Sequence, residues 1–143
     1  MRKISIAPAN PVRPVQRGGV LALVTRVQGW FYLATGIWPL FSPYSFQLVT
    51  GRKLDFWLAQ TVGSLIAITG GALILAARRA VIPVEIAFIA ALQAMTLGII
   101  DLYCVTLPRT TRVYLLDAVV ELAFVAVWAW GSWHRPRTKP TSA

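Results

Sequence analysis

Five acidic residues are notable in this sequence because most of them lie in apolar surroundings. They are Asp55, Glu85, Asp101, Asp117 and Glu121. A carboxyl within a long apolar segment is costly to bury, so it usually faces the interior of a helix assembly or a water-filled cavity. Asp117 and Glu121 are four residues apart, which places both on one helix face. Because like charges repel strongly in an apolar medium, we expect one of the two to hold a proton near neutral pH unless a cation lies between them.

This carboxyl pair has two interpretations, and both remain open at the level of sequence. It can form a proton-sensitive or cation-binding site, or it can be a structural contact. In the second case its partners would come from ion pairs and hydrogen bonds with Arg109, Arg112, Tyr103 or Tyr114. By 100° steps, Gln28, Tyr32 and Thr35 share a helix face that could complete the site, together with Gln93 and Thr96. The candidate residues for ligand or proton binding are Asp117, Glu121, Asp101, Asp55, Tyr114, Tyr32 and Gln28.

Signatures of cofactor-dependent catalysis are missing from the sequence. His134 is the only histidine and Cys104 the only cysteine, so one chain cannot form a paired-histidine haem site or a thiolate metal cage. There is no G-x-S-x-G, P-loop or dinucleotide-binding glycine pattern. We therefore expect no metal and no cofactor. Acid–base catalysis by carboxyls, for example on a lipid-like substrate, is the chemistry left open to an enzyme.

Long apolar helices are the elements that must position these groups. Of the 143 residues, 57% are hydrophobic and 13% are charged, about half the usual charged share of a soluble domain. The apolar residues form four runs, at about 20–40, 56–77, 83–105 and 113–133. At ~1.5 Å rise per residue, each run is about 31–35 Å long and can cross a bilayer core of roughly 30 Å. The sequence thus predicts an all-α integral membrane protein with four spanning helices.

The distribution of basic residues predicts the orientation of these helices. The net charge is +9, and ten of the fourteen Lys and Arg fall on one side of the predicted spans. The positive-inside rule then predicts an antiparallel four-helix bundle over residues 18–134, with both termini in the cytoplasm. A flexible basic arm (1–17) precedes the bundle and a basic tail (135–143) follows it. Since the cations flank the apolar runs instead of lining one helix face, we expect no nucleic-acid partner.

This orientation places four of the five acids in the outer half of the membrane. Asp55 lies at the outer mouth, while Asp101 and Asp117 each lie about 6 Å below the outer edge. Glu121 lies about 12 Å below it, close to mid-membrane. Only Glu85 belongs to the cytoplasmic half. The sequence therefore predicts an acidic pocket that faces outward.

Small residues recur at every fourth position in the second and third spans. Such stripes let helix backbones approach closely, and in lipid this packing replaces the hydrophobic effect as the associating force. We expect the second and third spans to pack as a tight antiparallel pair, with self-association through one stripe as the alternative. The residues of the two stripes are Ala59, Gly63, Ala67 and Gly71, then Ala90, Ala94 and Gly98.

One stretch of sequence carries a family resemblance. It runs from Trp38 to Leu58 through Gly51-Arg52-Lys53-Leu54-Asp55, and is followed by Asp101 and by Tyr114-Leu115-Leu116-Asp117-Ala118 with Glu121. This pattern resembles small uncharacterised four-helix membrane proteins of bacteria, similar in plan to DoxX-like proteins. The resemblance covers most of the membrane part and neither tail. It implies a location in the bacterial inner membrane and carries over no mechanism.

Together these features favour a small non-enzymatic membrane protein, an accessory or ligand-binding subunit. Its expected partners are the lipid bilayer and either a second copy of the chain or another membrane subunit. A minimal proton-coupled transporter, working as an oligomer, is the first alternative. A carboxylate-dependent enzyme acting on a lipid-like substrate is the second.

Overall fold

The computed structural model describes residues 19–52, 54–79, 81–107 and 111–133, and within these ranges the chain forms α-helices and no strand. The predicted arm (1–17) and tail (135–143) lie outside the described residues. The helices are α1 (Val20–Phe41), α2 (Pro43–Thr50), α3 (Phe56–Ala76), α4 (Val84–Val105) and α5 (Val113–Trp133).

Four of the helices, α1, α3, α4 and α5, are long and apolar enough to cross a membrane. Large apolar side chains cover their outer surface; Leu65, Ile68 and Phe88, for example, are each more than 60% exposed. Water would solvate such a surface poorly, whereas lipid tails solvate it well. The prediction of four helices able to span a membrane is therefore confirmed, and the helices indicate a multi-pass membrane protein.

A short helix, α2, lies between the first two spanning helices. Pro43 lies in its first turn, where the missing N–H leaves no hydrogen bond unmade. Gly51 ends the helix with a φ of 87°, a left-handed conformation that favours glycine. The indole of Trp38 donates a hydrogen bond to Ser45 Oγ at 2.8 Å and so fixes α2 to the end of α1. The eight residues of α2 are too few to show a clear apolar period in the sequence.

Glycines bring α1 and α3 into backbone contact, and these two helices form the most extensive pair. A Cβ at Gly70 would lie 2.5 Å from the backbone nitrogen of Leu33, and a Cβ at Gly36 would collide with the carbonyl oxygen of Gly63. In lipid, such close packing is a main source of helix association. The predicted pairing of the second span with the third is wrong, since α3 has few contacts with α4.

The predicted stripe of α3 therefore divides between different environments. Gly63 and Ala67 lie against Gly36 of α1. Ala59 lines a cavity described below. Gly71 faces away from the pair, because a Cβ there would meet no described atom of another element within 4 Å. Its neighbour Gly70 makes the close contact with α1. The predicted packing face was therefore wrong by one residue at this position.

The stripe of α4 packs against α5 and not against α3. Ala90 and Ala94 are fully buried, and Gly98 is buried as well. A Cβ at Gly98 would lie 3.3 Å from the Cβ of Glu121 on α5. The small residues of α4 thus allow an acidic side chain of α5 to lie in the helix interface.

Candidate ligand-binding site

A cavity of about 760 Å³ lies among the five helices, at the end of the molecule that contains α2. We call this the α2 end. Apolar side chains form most of its wall, and this size and character are typical of sites for small organic ligands. The described polar and charged residues that line it are Tyr32, Thr35, Thr50, Arg52, Asp55, Asp101, Tyr114, Asp117 and Glu121.

Glu121 lies at the deep end of the cavity and is paired with Tyr32 of α1. The Tyr32 hydroxyl donates a hydrogen bond to Glu121 Oε2 at 2.8 Å. Both side chains are almost completely buried, with exposed fractions of 0% for Tyr32 and 1% for Glu121. The structural interpretation of the carboxyl pair named Arg109, Arg112, Tyr103 and Tyr114 as partners. The structure gives Glu121 a hydrogen bond from Tyr32 of another helix instead. Arg109 lies outside the described residues.

Asp101 of α4 and Asp117 of α5 form the second part of the site. Their carboxyls lie within hydrogen-bonding reach of each other, across the interface between the two helices. Asp101 is only 6% exposed, and no donor among the described residues reaches its Oδ2 atom. Buried polar atoms are nearly always hydrogen-bonded, and a proton shared with the neighbouring Asp117 carboxyl would satisfy the pair.

Gln28 continues the polar arrangement one helical turn below Tyr32. Its Nε2 donates to the carbonyl oxygen of Ala90 at 2.9 Å, and its Oε1 accepts a hydrogen bond from Trp128 Nε1 at 2.7 Å. Gln28 thereby links α1 to both α4 and α5. Because all of these groups are buried, their mutual satisfaction fixes how the pair α1–α3 sits against the pair α4–α5.

The structure brings together most of the residues predicted from sequence. Gln28, Tyr32, Asp101, Asp117 and Glu121 face one another inside the protein. Asp55 is exposed and lines the mouth, and Tyr114 is half-buried in the cavity wall.

Two residues of α4 expected to join the site are placed elsewhere. Thr96 is exposed, and its hydroxyl donates to the carbonyl oxygen of Leu92 in its own helix. Gln93 is half-buried, and the described α4 residues that line the cavity are Leu97, Ile100 and Asp101. The helical spacing alone could not distinguish these positions, because the rotation of α4 depends on its packing against α5.

Trp128 belongs to this polar arrangement but was not among the candidate residues predicted from sequence. Its position near the end of the fourth span favours a place at the membrane surface. The structure instead buries it to 1% exposure, as the hydrogen-bond partner of Gln28. Helical spacing alone places Trp128 on the face of Glu121, because it lies seven residues further along the same helix.

The carboxyls of the site are not arranged as a metal centre. Within the part of the chain that the structure describes, no three His, Cys, Asp or Glu side chains lie close enough together to hold a metal ion. The site thus combines the carboxyls of Asp101, Asp117 and Glu121 with a largely apolar wall.

Comparison with family models, with curated proteins and with solved structures finds no match for this chain.

Proposed function

We propose that this chain is a membrane-embedded binding protein, an accessory or ligand-binding subunit whose cavity at the α2 end holds a small amphipathic molecule. The observation that carries the proposal is the cavity of about 760 Å³, whose largely apolar wall includes the carboxyl-bearing residues Asp101, Asp117 and Glu121. An apolar pocket with a few convergent polar groups is the usual form of a small-molecule site. The apolar wall would hold the body of the ligand, and the carboxyls would hold its polar end.

The course of the buried polar network favours binding over transport. Its polar groups are the pair Asp101 and Asp117, followed by the hydrogen-bonded residues Glu121, Tyr32 and Gln28. Beyond it, the buried side chains toward the other end of the molecule include Val24, Leu73 and Ile82. A cargo entering at the α2 end would meet this apolar layer before it could leave at the opposite end. A pocket that ends at such an apolar layer supports binding better than passage.

We propose further that the α2 end faces outward and that both termini lie in the cytoplasm, in an antiparallel bundle. The support is the charge distribution, because ten of the fourteen basic residues would then lie on the cytoplasmic side. In this orientation a ligand reaches the cavity from the outer leaflet or from outside the cell.

Cysteine labelling of bacterial cells that express the protein tests this orientation. In a Cys104→Ser background, Leu54→Cys at the α2 end is expected to react with a membrane-impermeant maleimide in intact cells. Val81→Cys, at the other end, is expected to react only after permeabilisation. Both positions are well exposed, with Leu54 fully exposed and Val81 at 67%, so reactivity reports sidedness. Labelling of Val81→Cys alone in intact cells would reverse the proposed orientation.

Filling the cavity tests the binding function itself. Ala59 lines the cavity, so Ala59→Trp is expected to occupy the space and to abolish retention of a small molecule. Native mass spectrometry after purification in mild detergent is the measurement, and it also gives the mass of any homo-oligomer or partner complex. We expect wild type to carry an added mass that Ala59→Trp lacks.

The matched control is Ala72→Trp, because Ala72 is an exposed residue of the same helix. It is expected to retain the added mass. Wild-type protein that is free of any bound molecule would contradict the proposed function, as would equal loss of the added mass in both variants.

A further inference from the structure

We infer that the ligand of this cavity is a lipid with a single hydrocarbon chain, which enters laterally from the bilayer through a gap between α3 and α4. This inference rests on the proposed binding function. It selects the bilayer over the water phase as the source of the ligand, and it assigns the ligand's chemical class.

The packing of the long helices leaves this gap beside the cavity. The backbones of α1 and α3 meet at Gly36 and Gly63, and Gly98 of α4 lies against α5. A hydrogen bond from Tyr32 to Glu121 joins α1 to α5. By contrast, α3 and α4 have few contacts with each other, although residues of both line the cavity. The cavity wall is thus loosely packed between α3 and α4.

Residues of the cavity wall are exposed on both sides of the gap. Val62 of α3 is 47% exposed, and Ile100 of α4 is 49% exposed. Val62 lies six residues after the start of α3, and Ile100 lies five residues before the end of α4. At ~1.5 Å rise per residue, both lie about 7–9 Å inside the ends of helices that can cross a bilayer. In a membrane, lipid chains therefore lie against the gap.

At the α2 end, α2 itself covers part of the cavity. Phe46 and Val49 of α2 line the cavity, whereas Tyr44 on another face of the helix is 80% exposed. The ring of Phe46 packs against Trp38 of α1 at 5.6 Å and against Phe56 of α3 at 6.1 Å between centroids. These contacts hold α2 in place. A ligand arriving from water would therefore meet a helix, whereas one arriving from the bilayer would meet the gap.

The size of the cavity indicates a lipid with one chain. A volume of about 760 Å³ with a largely apolar wall is typical of sites for ligands of drug size. A phospholipid with two chains exceeds this size, whereas a single-chain lipid fits. Because its chain passes from one apolar medium to another, we expect close packing against the cavity wall to provide the affinity.

Photolabelling in vesicles tests both the route and the ligand class. The probe is hexadecanol with a diazirine in its chain, added to phosphatidylcholine vesicles that contain the full-length protein, and mass spectrometry identifies the labelled residues. Unlabelled hexadecanol at about ten times its Kd is expected to lower the labelling of Val62 and Ile100 about tenfold. Ile68 and Phe88 are exposed and do not line the cavity, so their labelling by bulk contact is expected to stay unchanged.

A matched pair of α4 variants tests the gap itself. Ile100→Trp places a bulky ring at the gap and is expected to abolish the competed part of the labelling at Val62. Ile99→Trp is the control, because Ile99 is 59% exposed and does not line the cavity, and it is expected to label as wild type does. Equal competed labelling of Val62 in the two variants would overturn entry through the gap.

Failure of this inference is distinguishable from failure of the proposed function. If wild type carries an added mass that Ala59→Trp lacks, but labelling of Val62 and Ile100 is not competed, the binding function stands and the lipid inference fails. An added mass without a hydrocarbon chain has the same meaning. If labelling is competed equally in wild type and Ala59→Trp, or if neither competed labelling nor an added mass is found, both are overturned.

Discussion

Gly36→Ala is expected to destabilise the protein by about 2–3 kcal/mol, although it adds a single methyl group. The added Cβ would collide with the carbonyl oxygen of Gly63. Backbone atoms cannot rotate away as a flexible side chain can, so α1 and α3 would have to separate along their contact. Overpacking of a tight interface typically costs about 1–3 kcal/mol, and a collision between backbones belongs at the upper end of that range.

The measurement is the free energy of unfolding in mixed micelles, followed by titration with a denaturing detergent. Gly71→Ala is the matched control, since it makes the same chemical change on the same helix pair. A Cβ at Gly71 meets no described atom within 4 Å, so this variant is expected to stay within about 0.5 kcal/mol of wild type. Equal stability of Gly36→Ala and Gly71→Ala would show that α1 and α3 do not meet at Gly36.

Trp128→Ala is expected to cost about 3 kcal/mol and to loosen the contact between the two helix pairs. Trp128 is 1% exposed, and its indole nitrogen donates to Gln28. Truncation leaves a large cavity and an unpaired amide oxygen. Loss of a buried Trp side chain costs about 3–5 kcal/mol in water-soluble proteins. We expect the lower end because lipid also solvates apolar groups in the unassembled state, so that mainly packing is lost.

Two variants separate the contributions to this effect. Trp128→Phe keeps most of the ring volume and removes the donor, so it is expected to cost about 1 kcal/mol. Trp133→Ala removes an indole that is 87% exposed and is expected to have little effect. The same detergent titration measures all three variants. A Trp128→Ala protein as stable as Trp133→Ala would place Trp128 at the membrane surface, where the span-end position predicted it.

Both predictions concern positions at which helical periodicity is an incomplete guide. Periodicity groups residues of one helix by face, as it did for Gln28 with Tyr32 and for Asp117 with Glu121. It does not say which other helix that face meets. The small-residue stripe of α3 was recognised, but it packs against α1 and not against α4. At its last position Gly70 makes the close contact, and not Gly71 as predicted.

The candidate site shows the same division. Carboxyls in apolar runs are rare enough to identify Asp101, Asp117 and Glu121 from sequence, since burying them carries a high cost. The hydrogen bond from Tyr32 to Glu121 joins residues 89 positions apart, and that from Trp128 to Gln28 joins residues 100 apart. Such pairs depend on how the helices are arranged in space, which no local pattern contains.

Composition and local pattern by themselves determined that this protein has four long apolar helices, and they identified the few ionisable groups those helices carry. These properties are local: each depends on the cost of placing one side chain or one backbone group in an apolar medium. Only the tertiary structure decided that α1 pairs with α3, that α4 pairs with α5, and that α2 and the α3–α4 gap leave a cavity at the carboxyls. Those features depend on close contact between distant segments, where a difference of one methyl group selects between alternative partners.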